Sequence, residues 1–167
     1  MKKKWRIRMN QLPVALARDL LETLTPLRTD CGRVCGGACC QGSSEDGMLL
    51  FPGEAALYEG NPRYTLRPLD KQLGGTPLTL FVCDGTCARA ERPLACHLFP
   101  LIARFDAQGK PVMCIDPRAR AVCPLCSSGV SGLSREFVAA AQQACDSLMQ
   151  DPACAAFLRA LSDQFCL

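Results

Sequence analysis

Ten of the thirteen cysteines lie between Cys31 and Cys126, in three groups along the chain. The densest group runs from Cys31 to Cys40 and places four thiols and three glycines in ten positions. Because glycine adopts backbone angles that are closed to other residues, such a loop can curl and direct several sulfurs at one point. Cys39 and Cys40 are neighbours, which makes a disulfide between them awkward, although both can serve as thiolate ligands of a soft cation. This group therefore predicts a metal site.

The second group consists of Cys83 and Cys87, followed by Cys96. Pro93 and Pro100 stand on either side of Cys96. Because proline restricts the backbone, the two prolines help to hold this cysteine in place, which suits a metal ligand. Binding by cysteines from separate groups would draw distant stretches of the chain together.

The third group is Cys114, followed by the CxxC pair Cys123 and Cys126. A CxxC pair lets two thiolates hold one ion, as in zinc ribbons. A tetrahedral zinc ion and a cubane iron–sulfur cluster each take four thiolates, so eight cysteines suffice for two sites, or for one site with spares. Cys114 and Cys126 are spare cysteines that could replace one of the predicted ligands. The predicted metal ligands are Cys31, Cys35, Cys39, Cys40, Cys83, Cys87, Cys96 and Cys123.

Spacing does not distinguish zinc from an iron–sulfur cluster, although vicinal cysteines with distant partners favour the cluster slightly. Arg33 and Arg92 are candidates to offset the negative charge of a thiolate site, and a surface salt bridge is the ordinary alternative for Arg92. His97, the single histidine, can either ligate the metal or pack beside the site, and packing is the more common role of a lone histidine. The predicted cofactor is therefore an iron–sulfur cluster or zinc.

Apolar periodicity and turn residues predict a small α+β fold with an irregular, metal-stapled core, in one domain spanning 1–167. Cys145 and Cys154 fall on apolar helix faces, so both are expected in the core. The predicted segments are a basic arm at 1–10, a helix at 12–27, a metal-binding region at 31–126, a strand at 48–51, a helix at 52–58, a surface connection at 61–76, a strand at 78–83, a β-hairpin at 101–115 and a helical hairpin at 134–165.

Charge and hydropathy bear on the partners and the compartment. The net charge is +3 and the pI is about 8.2, below the value above ~9 that is typical of a nucleic-acid-binding domain. No segment approaches the ~18 apolar residues of a membrane span. Charged residues interrupt the stretch from Leu12 to Leu24, so the ~7–15-residue apolar run of a signal peptide is missing and a cytoplasmic location is expected. Thiols in the cytoplasm stay reduced, which favours a role of these cysteines as metal ligands over disulfide formation. Whether the chain has a protein partner is left open.

The cysteine pattern resembles that of the YkgJ-like cysteine-cluster family, which is described as zinc- or iron-chelating. The matching residues are the group ending in Cys39 and Cys40, then Cys83 and Cys87, and the run Arg92-Pro93-Leu94-Ala95-Cys96-His97-Leu98-Phe99-Pro100. The resemblance covers about residues 31–126 and implies a metal-binding protein. His97 stands where the family usually has arginine, and the spacing from Cys35 to Cys39 is looser than typical. The flagellin lysine N-methylases carry a similar pattern, so the resemblance also allows a cluster-dependent group-transfer enzyme.

A thiol oxidoreductase working through Cys123 and Cys126 is a further alternative. That chemistry requires the CxxC pair at a helix N-terminus, where the helix dipole lowers the thiol pKa. The Ser- and Gly-rich residues 127–132 are a poor helix start. No nucleotide loop, metalloprotease motif or nucleophile elbow is present, so no catalytic residue is nominated and enzymatic activity is left open.

Overall fold

The computed structural model describes residues 12–41, 46–85 and 87–166, which include all thirteen cysteines. The predicted basic arm at 1–10 lies outside the described residues. The fold contains five α-helices in the described part, two antiparallel sheets and several short 3₁₀ turns, which confirms the predicted α+β class. None of these helices has the length and apolar composition needed to cross a membrane.

Helix α1 spans Leu12–Leu21 and buries Val14, Ala17 and Leu21 on one face, at the predicted helical spacing. It ends six residues before the predicted end at 27, so that boundary was wrong. The residue before a proline is disfavoured in a helix, and here Thr25 precedes Pro26. Its hydroxyl instead donates to the backbone carbonyls that follow, at 2.6 Å for Leu27. Nearer the helix end, the Leu21 and Glu22 carbonyls accept from the Arg89 guanidinium, and the chain then turns toward the first cysteine group.

The first sheet has three antiparallel strands in the order β1–β3–β2. These are β1 (Met48–Leu49), β2 (Thr65–Leu73) and β3 (Thr76–Val82). Strand β2 lies where a surface connection was predicted, so that prediction was wrong. Gly74 and Gly75 have φ values of 55° and 78°, and a Gly-Gly pair between two strands is a hairpin signal that the sequence reasoning missed. The residues of β2 show little alternation of apolar and polar side chains, so this segment is a strand because it hydrogen-bonds to β3.

The segment predicted as a helix at 52–58 forms a 3₁₀ turn, Glu54–Leu57, so only its local curvature was predicted correctly. The second sheet is the predicted hairpin, with β4 (Leu101–Phe105) paired to β5 (Pro111–Ile115). Gly109 has a φ of 75° in the connecting loop, as expected from its position.

Two short helices carry cysteines: α2 (Cys31–Cys35) and α3 (Leu94–Leu98). The C-terminal helices are α4 (Arg135–Leu148) and α5 (Pro152–Phe165). Helix α4 packs on α1 and β5, whereas α5 packs on β4 and β2. The Asp151 side chain caps α5, while the Ser134 side chain makes no capping bond at α4.

The main core lies where these helices cover the hairpin, and Phe137, Phe157 and Leu148 are among its fully buried side chains. Cys145 and Cys154 are 0% and 1% exposed, which confirms their predicted place in the core. A smaller cluster of Leu50, Tyr58, Tyr64 and Phe81 packs beside Cys83 and Cys87. The aromatic cluster thus supports the strand end that delivers the second cysteine group.

Candidate metal centre

The first cysteine group is shaped by two turns within ten residues. The Asp30 side chain accepts a hydrogen bond from the Gly32 amide at 3.1 Å and so caps the start of α2. Gly36 ends that helix with a φ of 65°, and Gly37 follows with 68°, a left-handed conformation that favours glycine. The Cys40 amide then donates to the Gly37 carbonyl at 2.8 Å. The glycines therefore curl the loop as the sequence predicted.

A cavity of about 50 Å³ brings cysteines from three segments together. A space that holds one water needs roughly 10–15 Å³ by the same kind of measure, so this cavity has room for an ion. Arg89, Arg92 and His97 also line it. The cysteines on its walls are Cys31, Cys35, Cys39, Cys96 and Cys123.

The remaining predicted ligands gather around Arg92. The guanidinium of Arg92 interacts electrostatically with the Cys87, Cys40 and Cys96 thiols. Cys83 in turn interacts with Cys87 and Cys96. All eight predicted ligands therefore fall into two neighbouring sets, with Cys96 facing both.

A close backbone approach holds the second set together. A Cβ atom added to Gly85 would lie 2.8 Å from the Cys40 carbonyl oxygen, and Gly85 has a φ of 83°. Only glycine accommodates both conditions without strain. The loop that carries Cys83 and Cys87 is thereby pressed against the end of the first cysteine group.

Cys39 and Cys40 link the two sets, with their Sγ atoms 4.0 Å apart. The hydrogen bond from Cys39 and then the charge of Arg92 lower the pKa of Cys40 to about 6, against the opposing effect of burial. The same hydrogen bond, with burial, raises the pKa of Cys39. Cys40 is therefore the thiol of this pair that ionises first.

Burial keeps other thiols of the cluster protonated at neutral pH. It raises the pKa of Cys31 and of Cys87, and raises that of Cys96 furthest, with the charges of neighbouring cysteines adding to the effect. A metal ion binds the thiolate form and would displace these protons. The donor set, sulfur beside arginine, fits zinc or an iron–sulfur cluster.

The thiols are gathered on the walls of the site but are not arranged around a single point. Across residues 12–41, 46–85 and 87–166, no three His, Cys, Asp or Glu side chains are positioned as a metal site requires. Binding would therefore require side chains to turn inward. The ligand assignment stays a prediction, supported by the convergence of the cysteines.

The two spare cysteines lie differently. Cys126 is buried, and burial followed by its interaction with Cys123 raises its pKa to about 11. Cys114 lies on β5, where its thiol donates to the Ile102 carbonyl at 3.5 Å; burial and the neighbouring Cys166 raise its pKa to about 11. Cys114 is therefore associated with the C-terminal end rather than with either predicted set.

His97 is 4% exposed, and its Nδ1 has no hydrogen-bond partner in the described part of the chain. Burial, with the nearby charges of Arg89, Arg18 and Arg92, lowers its pKa to about 4, so the ring is neutral. The residue lines the cavity beside the thiols, so both of its predicted roles, ligation and packing, stay predictions.

Two residues of the cysteine site were not predicted from the sequence. Arg89, and not the exposed Arg33, joins Arg92 on the cavity wall, and its guanidinium binds backbone carbonyls at the end of α1, among them Leu21 at 3.3 Å. Glu54 is fully buried and joins two backbone segments at the site. No sequence signal marked either residue, since an isolated acidic residue near a turn and an arginine among several look ordinary.

The chain was also compared with known proteins. No protein-family model matches it, and neither the curated proteins nor the solved structures include a similar chain. The resemblance to the YkgJ-like family therefore stays a prediction that depends on the cysteine motifs.

Proposed function

We propose that this chain is a metal-binding protein whose clustered cysteines hold an iron–sulfur cluster or zinc. The observation that supports this most directly is the cavity lined by five cysteines from three separate segments, with Arg89 and Arg92 on its wall. Positive groups beside thiolates offset the charge of a sulfur-ligated centre. All thirteen cysteines are free, which fits a reducing compartment such as the cytoplasm.

Two centres follow from the way the thiols divide. The first would use Cys31, Cys35, Cys39 and Cys123, which share the cavity or interact through Cys31. The second would use Cys40, Cys83, Cys87 and Cys96, which gather near Arg92. Four thiolates complete a tetrahedral zinc site and also match the ligand requirement of a cubane cluster.

The test is elemental analysis and absorption spectroscopy on protein purified without oxygen. A brown protein containing iron and sulfide identifies clusters, whereas a colourless protein with about two zinc ions per chain identifies zinc. Cys31→Ser and Cys87→Ser should each remove about half of the metal. Cys114→Ser is the matched control and should retain all of it, because Cys114 lies outside the cysteine cavity and its thiol donates to the Ile102 carbonyl. Protein that carries neither metal, or that loses as much through Cys114→Ser, would contradict the proposal.

The enzymatic alternatives lack a comparable observation. The residues after Cys123 form a 3₁₀ turn, Pro124–Ser128, and not the helix N-terminus that lowers a thiol pKa. Burial raises the pKa of Cys126 instead. An insulin-reduction assay with Cys126→Ser checks the oxidoreductase alternative, and a group-transfer activity awaits an identified substrate.

A further inference from the structure

A second cavity, of about 330 Å³, lies beside the cysteine site and shares His97 with it. Its wall is formed by α1, by the aromatic residues Tyr58 and Tyr64, and by Glu91. Ligand cavities generally occupy about 300–1,000 Å³ and combine apolar lining with a few polar groups. Its volume is at the low end of that range and suits one small molecule.

Three residues of this wall carry a buried side-chain atom that lacks a hydrogen-bond partner within the described residues. The atoms are Arg18 Nε, Tyr58 Oη and His97 Nδ1. Leaving such an atom without a partner destabilises the fold, and in native proteins an unmet group often marks a missing water or ligand. Tyr58 and His97 are each only 4% exposed, so little of either side chain is in contact with bulk solvent.

The chemistry of these atoms indicates which group would satisfy them. Arg18 Nε only donates, and the Tyr58 hydroxyl can donate as well, so an oxygen acceptor with a negative charge suits both. Arg18 is held in place because its terminal nitrogen donates to the Ala90 carbonyl at 2.9 Å and its guanidinium lies 5.7 Å from the Tyr58 ring centroid. A carboxylate has two such oxygens.

Acidic side chains on the same wall oppose a ligand that carries only negative charge. The Glu91 carboxylate forms an ion pair with the Arg63 guanidinium, at 3.0 Å between nitrogen and oxygen, and also accepts a hydrogen bond from the Tyr64 hydroxyl. Asp19 and Glu22 border the exposed side of the cavity; neither forms an ion pair among the described residues, although Glu22 interacts electrostatically with Arg89. One guanidinium and two carboxylates therefore face the space, which suits a ligand that carries an ammonium as well as a carboxylate.

We propose that this cavity binds a small free amino acid. Its carboxylate accepts from Arg18 and Tyr58, and its ammonium faces Asp19 and Glu22. The inference does not depend on a metal being bound to the cysteines, since none of these four residues belongs to the predicted ligand set.

The binding test is isothermal titration calorimetry of the full-length protein with each of the twenty L-amino acids. For an amino acid that binds, the two matched probes are the same molecule without its amino group and without its carboxylate, for example propionate and ethylamine for alanine. Each probe should bind at least tenfold more weakly than the parent. If none of the twenty binds, or if the carboxylate alone binds as tightly as its parent, the proposal is overturned.

A pair of variants tests whether the unpartnered Tyr58 hydroxyl contributes to amino acid binding. Tyr58→Phe removes an oxygen that has no partner, whereas Tyr64→Phe removes one that is bonded to Glu91. Without ligand, Tyr58→Phe should leave the melting temperature unchanged or raise it, and Tyr64→Phe should lower it. Tyr58→Phe should also weaken amino acid binding about tenfold. If both variants lower the ligand-free melting temperature equally, the Tyr58 hydroxyl already has a partner and the proposal fails.

Discussion

Glu54 offers a sharp test of how the cysteine site is supported. Its side chain is 0% exposed, and its two oxygens accept from the Leu94 amide at 2.7 Å and the Phe51 amide at 3.0 Å. Leu94 begins the helix that carries Cys96, so Glu54 connects the end of β1 to that helix. Burial raises the pKa of Glu54 from its ordinary 4.5 to about 7, although both hydrogen bonds oppose the shift.

A carboxyl whose pKa is higher in the folded state binds more protons there than in the unfolded chain. Its contribution to stability is therefore fully present below pH 4.5 and is lost as the pH rises through about 7. Each pKa unit corresponds to about 1.4 kcal/mol, so ionising Glu54 should lower the free energy of unfolding by about 3 kcal/mol over that interval.

Glu54→Gln isolates this effect because glutamine has nearly the same shape and does not titrate. Urea unfolding at a series of pH values from 4 to 8 should show the variant gaining about 3 kcal/mol relative to the wild type. At low pH the variant should be no more stable, since glutamine offers one acceptor oxygen to two amides. Glu59→Gln, at an exposed carboxyl nearby, controls for the loss of a negative charge. A difference that stays constant with pH would refute the reasoning, because the two amides would then compensate fully for burial.

Three further predictions concern the site and its backbone. Gly85→Ala should cost about 1–3 kcal/mol more than Gly75→Ala in urea unfolding, because both have positive φ but only Gly85 approaches the Cys40 carbonyl; equal costs would contradict this. Asp30→Ala should lower the free energy of unfolding by about 0.5–2 kcal/mol by removing the cap of α2, while Asp30→Asn should retain most of it. Chelation should abolish the thermal transition of the cysteine region if the metal staples it, since structural zinc contributes about 10–16 kcal/mol in small peptides; an unchanged calorimetric transition would exclude that role.

Local signals predicted the elements whose residues determine their own conformation. The hairpin around Gly109 and the two C-terminal helices follow from turn chemistry and apolar periodicity, which act over a few residues. The same periodicity placed Cys145 and Cys154 in the core. Strand β2 was missed because its pairing with β3 depends on a partner rather than on its own residues.

Cysteine spacing and glycines such as Gly36 and Gly37 were enough to predict a tightly turning segment that carries several thiols. Which thiols become neighbours depends on the packing of distant segments. Cys96 reaches the cavity of Cys31 and Cys123 because α3 is held in place by Glu54, a contact across 40 residues. Burial and long-range contacts depend on the whole packed chain, so the division of the thiols and the second cavity have no local signature.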